Sequence, residues 1–204
     1  MFLRSTAQRS AVAAACVVGA VLGFTGQSYG STGGRWISAQ ASPSDQPFAE
    51  QVRAANLSSE QATLLQSEVD GHLRKLGGRQ VSPNEIRFDR GRILVAIPGE
   101  NHPRDFATGR GTQFFYDQCL DGDIPSGWFC EYNAEYFQGS QVQWYKCDTY
   151  TDPFNGLGSW VNNQSPGTRA RMYNVFGTPI YTTPGAYSVD ATGNWYDVQS
   201  VKIC

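Results

Sequence analysis

The chain has 204 residues, of which 40% are hydrophobic and 13% aromatic, enough to build one or two small domains around an apolar core. The formal net charge is -2, and residues 111–204 carry nine acidic side chains against four basic ones. That half lacks the basic face that nucleic acids and anionic membranes require, so we expect neither as a partner.

Residues 1–41 have the features of an export signal. Arg4 and Arg9 precede an apolar run over residues 11–24, which is too short to cross a bilayer but has the length of a signal-peptide core. Small residues suit cleavage between positions 30 and 41. Since no later segment is apolar enough for a membrane, the sequence predicts a secreted, extracellular protein.

Residues 42–97 predict a small helix-strand-strand module. Ser58 and Gln61 have the spacing of a capping box, and Gly77-Gly78 closes the helix. An apolar stripe follows the helical period: Ala62, Leu65, Val69, Leu73 and Leu76. Two strand-like runs, NEIRF and RILVAI, come next and are joined by a hairpin signal at residues 89–91.

Residues 98–118 are rich in glycine, proline and charge and are interpreted as a linker. The preceding module is too small to expect much stability alone. We therefore hypothesise that it is a pro-region or folding helper, removed by cleavage near Arg110, although such a stretch is also an ordinary linker.

Four cysteines follow the export signal: Cys119, Cys130, Cys147 and Cys204. An even number in an exported chain predicts two disulfides, for which three pairings exist. A zinc site is disfavoured because the chain has no CxxC spacing and no histidine after His102. We predict Cys119–Cys130 across a short loop and Cys147–Cys204.

Residues 119–204 predict an all-β domain. Short β-prone runs alternate with turn residues: GWFCEY, QVQWYK, SWVNN, RARMYN, PIYTT and VQSVKI. In QVQWYK, apolar and polar residues alternate, which is typical of a strand with one buried face. A disulfide-bonded β-sandwich is the expected architecture.

An offset of 41 residues indicates an internal repeat within this domain. It relates Tyr132-Asn133 to Tyr173-Asn174, Phe154 to Trp195, and Ser159 to Ser200. We interpret the repeat as two β-units of similar size that pack face to face, since neither could bury its own apolar face.

The spacing of Tyr132, Gly139 and Ser159 resembles the Greek-key motif of the βγ-crystallins: an aromatic residue, a glycine seven positions later, and a serine opening the last strand. The second unit keeps Tyr173 and Ser200 but has Ile180 at the glycine position, so its hairpin should fold differently. The resemblance implies a βγ-crystallin-like sandwich of two Greek-key units over residues 119–204.

The stretch CLDGDIPSGWFCEYNAEYFQG, followed by GSWVNN and ARMYN, is similar to the βγ-crystallin-like microbial metalloproteinase inhibitors. This resemblance implies a monomeric inhibitor that docks a rigid, exposed loop into an extracellular metalloprotease. The founding type uses a loop between two nearby cysteines, which is missing here. Loops 148–158 and 183–186 are the candidates, and the reactive loop stays unidentified. The alternative is a non-inhibitory extracellular structural or binding module.

Calcium is the ligand that the βγ-crystallin resemblance would add. Only Asn155 and Ser159 keep the oxygen side chains of such a site, too few for the six to eight ligands of Ca²⁺. We expect no metal or other cofactor.

An enzyme is not expected either. The second module has no histidine for a nucleophilic triad, and the chain has neither HExxH nor GxSxG. Glu131 and Glu135 could act as a carboxylate pair, but Glu131 is predicted within a strand, next to Cys130.

Overall fold

The structure is a computed structural model that describes residues 47–106, 113–114 and 116–204, with the backbone alone at 113–114. The predicted export signal at residues 1–41 and its cleavage site lie outside the described residues. The same holds for part of the predicted linker, including Arg110.

Two helices begin the described chain, α1 (Ala49–Ala54) and α2 (Ser59–Leu76). The predicted capping box of α2 is present: Gln61 N donates to Ser58 Oγ, and Ser58 N donates to Gln61 Oε1, both at 3.1 Å. Among residues 47–106 and 113–204, neither helix has the length and hydropathy of a membrane-spanning segment.

Seven strands form an antiparallel sheet in the spatial order β1-β2-β3-β7-β6-β9-β12. Their bounds are β1 (Arg79–Ser82), β2 (Glu85–Phe88), β3 (Gly91–Leu94), β6 (Trp128–Tyr132), β7 (Gln141–Trp144), β9 (Leu157–Asn163) and β12 (Ser188–Asn194).

A second antiparallel sheet has the order β11-β10-β13-β8. Its strands are β8 (Thr149–Thr151), β10 (Arg171–Tyr173), β11 (Pro179–Thr182) and β13 (Ser200–Lys202). Two short strands, β4 (Arg104–Asp105) and β5 (Gln113–Phe114), pair with each other within the segment predicted as a linker. The described part of the chain is therefore mainly antiparallel β with one helical region, as the sequence predicted.

The two sheets exchange strands. Residues 128–163 contribute β6, β7 and β9 to the first sheet and β8 to the second, whereas residues 171–202 contribute β10, β11 and β13 to the second sheet and β12 to the first. Thus β8 pairs with β13, and β12 pairs with β9. Each half gives its third strand to the other half's sheet, so neither sheet is complete without both halves.

The described part of residues 42–97, predicted as helix-strand-strand, contains two helices and three strands: α1, α2, β1, β2 and β3. These strands belong to the same sheet as the β-domain. Strand β3 pairs with β7 over four register positions, from Gly91 opposite Trp144 to Leu94 opposite Gln141. One buried cluster joins Leu65 and Val69 of α2 to Val142 of β7 and to Val201 of β13. Helix α2 and the second sheet therefore contribute side chains to one core on the first sheet.

Strand β7 is buried on both faces, contrary to its alternating sequence. Gln141 and Gln143 lie in the interior, although the pattern predicts one solvated face. Arg92 Nε donates to Gln143 Oε1 at 2.8 Å, and Gln143 Nε2 donates to Gln141 Oε1 at 3.2 Å. The prediction was wrong because the second face of β7 is covered as well. Arg92 lies against Gln143, and Cys130, opposite Gln143 in β6, carries the disulfide to Cys119 of the preceding segment.

Both predicted disulfides are present. Cys119–Cys130 ties the segment before β6 to that strand, with the Cα atoms 6.2 Å apart. Cys147–Cys204 joins the β7–β8 connection to the C-terminal residue, with the Cα atoms 5.4 Å apart. These bridges fasten the first sheet to its flanking segment and the second sheet to the chain end.

Candidate functional site

The predicted fold markers of the first unit meet at the hairpin between β6 and β7. Tyr132 ends β6 and lies opposite Ser159 of β9. Ser159 Oγ accepts a hydrogen bond from Phe137 N at 2.8 Å and donates one to Ala134 O at 2.7 Å. The Tyr132 ring packs edge-on against Phe137, with the centroids 5.7 Å apart. This hairpin is therefore folded back and fastened to the sheet.

Gly139 occupies the position in this hairpin that a side chain cannot take. Its φ is +79°, in the left-handed region, and a Cβ there would overlap Oδ1 of Asn133. That oxygen accepts a hydrogen bond from Ser140 N at 2.7 Å. The backbone N–H of Gly139 donates to Asn101 O, also at 2.7 Å.

The second unit has a shorter hairpin. Tyr173 ends β10 and lies opposite Ser200 of β13, as Tyr132 lies opposite Ser159. Ile180, at the position of the missing glycine, lies within β11. The left-handed residue is instead Gly177, with a φ of +72°.

Residues 174–178, the hairpin tip, are held by one asparagine. Asn174 Oδ1 accepts hydrogen bonds from Phe176 N and Thr178 N, both at 3.0 Å. Asn174 N donates to Thr178 O at 3.0 Å, and Gly177 N donates to Asn174 O at 2.9 Å. Four local hydrogen bonds therefore fix the backbone of the hairpin tip.

The hairpin tip presents two adjacent apolar side chains to solvent. Phe176 is 88% exposed and Val175 is 70% exposed. Single exposed apolar residues are ordinary on protein surfaces. Here two neighbouring apolar side chains lie on a turn whose backbone is fixed by hydrogen bonds. The hairpin tip is therefore a preorganised apolar surface.

The loops singled out from the sequence are bound into the fold. In loop 148–158, Asp152 and Phe154 are buried. In loop 183–186, Thr183 is fully buried and its Oγ1 accepts from Ala170 N at 3.0 Å, while Ala186 N donates to Thr168 O at 2.9 Å. Loop 148–158 exposes Leu157 at its end, at 52%, but that residue begins β9 and has no exposed apolar neighbour in the chain, so both loops present less exposed apolar surface than the hairpin tip.

A pair of buried carboxyl groups, Glu131 and Asp152, lies in the core. Trp144 Nε1 donates to Glu131 Oε1 at 3.2 Å, and Phe154 N donates to Asp152 Oδ1 at 2.8 Å. The other oxygens, Glu131 Oε2 and Asp152 Oδ2, are buried and have no further hydrogen-bond donor among the described residues. If Glu131 carries a proton, as its raised pKa favours, its carboxyl group can donate to Asp152, which would satisfy both oxygens.

Burial is the main cause of the electrostatics of this pair. Desolvation, and then the charge of Asp152, raises the pKa of Glu131 well above its usual value. Desolvation raises the pKa of Asp152 to about 7, opposed by its hydrogen bond from Phe154 N. Glu131 is fully buried, so it cannot touch a substrate. The carboxylate pair considered from the sequence, Glu131 with Glu135, therefore does not line an open cleft.

The candidate calcium residues do not form a ligand cluster. The Oγ of Ser159 is already engaged by the folded hairpin, and Asn155 is exposed. Within the described part of the chain, the group of potential metal ligands is Asp117, Cys119 and Cys130. Both of those cysteines are disulfide-bonded and offer no thiolate.

Sequence reasoning did not find the hairpin tip or the buried carboxyl pair. The signal for the tip is the pair Val175-Phe176 between a turn asparagine and a glycine, outside both flanking strand-like runs. Comparison with protein-family models, with curated proteins and with solved structures found no match.

Proposed function

We propose that residues 119–204 form a βγ-crystallin-like sandwich of two Greek-key units. The exchanged strands β8 and β12 support this, because each four-strand unit then places three strands in its own sheet and one in the other. The repeated registers of Tyr132 with Ser159 and of Tyr173 with Ser200 support a common origin for the two units.

We further propose that the protein is a secreted inhibitor of extracellular metalloproteases, and that the hairpin tip is its docking loop. The observation that carries this proposal is Phe176, an 88% exposed aromatic ring on a turn with a fixed backbone. A buried aromatic anchor supplies much of the affinity of many interfaces, and a rigid loop loses little entropy on binding. The two disulfides are those of an oxidising compartment.

The test is a titration of a thermolysin-like zinc protease with the full chain. We expect stoichiometric inhibition, weakened roughly 30-fold or more by Phe176→Ala, because loss of a central aromatic anchor costs about 2 kcal/mol or more. Tyr136→Ala is the matched control, since Tyr136 is 63% exposed in the hairpin of the first unit and should not change inhibition.

Absence of inhibition across a panel of metalloproteases, with the wild-type chain folded, would remove the inhibitor proposal. The alternative, a non-inhibitory extracellular structural or binding module, would then stand. Equal loss of inhibition in Phe176→Ala and Tyr136→Ala would mean that the hairpin tip is not the specific docking surface.

A further inference from the structure

A second surface feature, independent of the hairpin tip, is an open groove of about 690 Å³. Its walls come from the end of α2, the β1–β2–β3 segment, the last residue of β7 and strand β8. β8 is the last strand in the spatial order of its sheet. We call this feature the basic groove, defined by Lys75, Arg79, Arg87, Arg90, Trp144 and Tyr150.

The basic groove gathers positive charge in a chain that is acidic overall. Four cations line it, Lys75, Arg79, Arg87 and Arg90, against one acid, Asp89. The formal net charge of the whole chain is -2. A cleft with one sign of charge concentrates ligands of the opposite sign, so charge complementarity predicts an anionic ligand.

Two of the four cations are already paired, and two are available. Arg87 Nε contacts Glu85 Oε1 at 2.8 Å, and Arg90 pairs with Asp148. Lys75 and Arg79 make no hydrogen bond or salt bridge in the described part of the chain, and both are exposed; the charge of Lys75 acts on Asp152 and Glu131 without a salt bridge. Lys75 and Arg79 are therefore the groups free to bind carboxylate or sulfate oxygens, and Arg79 can do so with two parallel hydrogen bonds.

An aromatic wall runs along the same groove. Trp144 stacks on Tyr150 with the centroids 4.1 Å apart and an interplanar angle of 11°. On β2, Phe88 stacks on Trp144 at 5.5 Å and 30°. Trp144 is 3% exposed, whereas Tyr150 and Phe88 are half-buried and line the groove. The aromatic wall therefore presents a flat apolar surface, held in place by ring stacking, beside Lys75 and Arg79.

We propose that the basic groove binds an acidic oligosaccharide, with Lys75 and Arg79 pairing with its carboxylate or sulfate groups and Tyr150 packing against a sugar ring. A sugar ring presents an apolar face and a rim of hydroxyls. The aromatic wall matches the face, and the exposed Thr149 and Thr151 on β8 supply hydrogen-bonding partners for the rim.

An acidic peptide fits the groove less well. Peptide side chains are usually held by apolar pockets, and Leu76 is the aliphatic side chain that lines this groove. The groove is open and lined mostly by charged and hydroxyl groups, a surface suited to a hydrated, polyhydroxylated ligand rather than to an apolar anchor.

The test is a calorimetric titration of the full chain with an oligogalacturonate, a sulfated heparin-derived oligosaccharide, and a neutral galactan oligosaccharide of matched length. We expect binding of at least one acidic oligosaccharide, weakening with added salt, and no binding of the neutral one. Lys75→Ala/Arg79→Ala should weaken binding about 10-fold or more, which corresponds to about 1.4 kcal/mol or more, because two charged partners of the ligand's anionic groups are lost.

The matched control is Arg53→Ala/Arg171→Ala, which removes two exposed cations that do not line the basic groove and should leave affinity within about 2-fold. Tyr150→Ala should also weaken binding, which tests the aromatic wall. Failure of both acidic oligosaccharides to bind, equal loss in the two double variants, or tighter binding of a poly-glutamate peptide would each overturn the proposal. Unchanged melting temperatures show that the double variants are folded.

Discussion

Glu131 and Asp152 hold two carboxyl groups in a core where apolar side chains would cost less to bury. Glu131 is contributed by the first sheet, and Asp152 follows β8 of the second sheet. Trp144 Nε1 and Phe154 N each donate a hydrogen bond to one of the carboxyl groups. The pair therefore places two titratable groups with raised pKa values in the core between the sheets, so the stability of the fold should depend on pH.

At the residue scale, we expect Asp152→Asn to be stabilised relative to the wild type as the pH rises. Folding raises the pKa of Asp152 to about 7, from an ordinary value near 4. Above pH 4 the unfolded chain loses this proton while the folded chain keeps it, so this carboxyl group lowers the free energy of unfolding progressively up to about pH 7. The neutral amide of asparagine has no such dependence.

The measurement is the difference in free energy of unfolding between variant and wild type by urea denaturation at pH 4.5 and pH 8. A change on the order of a few kcal/mol in favour of Asp152→Asn is expected. His72, whose pKa burial and then Lys75 lower to about 4, titrates in the opposite sense but is common to both proteins and cancels. Glu131 does not cancel: the variant lacks the charge of Asp152 that raises the pKa of Glu131, which favours the variant at high pH in the same direction. Asp123→Asn, at an exposed position, is the control. A difference that does not change with pH would contradict the raised pKa of Asp152.

The two hairpins of the repeat reverse the direction of the chain in different ways. The first folds back over eight residues between β6 and β7 and is fastened by Ser159. The second turns within five residues and is closed by Asn174. The shorter turn leaves its apolar residues outside, whereas in the first hairpin Phe137 packs on Tyr132.

We expect Gly139→Val to destabilise the first hairpin by about 3 kcal/mol or more, which corresponds to a melting temperature about 6–12 °C lower. Valine resists the left-handed φ of +79°, and its Cβ would overlap Asn133. Thermal unfolding measures the change. The control is Gly127→Val, because Gly127 has a φ of +85° but no atom within 4 Å of a Cβ. Equal losses would mean that the clash with Asn133 contributes nothing.

Local signals in the sequence predicted the elements whose contacts are local. The capping box placed α2, and the turn at residues 89–91 placed β2 and β3. Strands β8 and β12 were missed, since TYT is short and SVDATGN carries few apolar residues. Their pairing is set by the exchange between sheets, which brings together β8 with β13 and β12 with β9.

The candidate site was less predictable than the fold. Apolar residues such as Val175 and Phe176 are expected inside a core, and only the turn geometry around Asn174 turns them outward. Conversely, Glu131 and Gln143 are polar residues in the middle of the seven-stranded sheet, and they are buried because both faces of the sheet are covered there. Burial of this kind depends on tertiary neighbours and leaves no local pattern.

At the scale of the whole molecule, residues 79–94 complete the sheet on which the β-domain is built. Gly91 lies opposite Trp144, and the close approach of these two strands leaves no room for a Cβ at Gly91. Removal of residues 42–97, as the pro-region hypothesis requires, would uncover β7 and the core side of Trp144. That hypothesis therefore needs a β-domain that stays folded with an open sheet edge.

Docking through the hairpin tip can be tested directly by measuring hydrogen–deuterium exchange of the full chain, with and without a zinc protease that it inhibits. We expect slower exchange in the complex for the amides of Val175 to Thr178, with exchange in loops 148–158 and 183–186 unchanged. Protection of either of those loops without protection of the hairpin tip would contradict it.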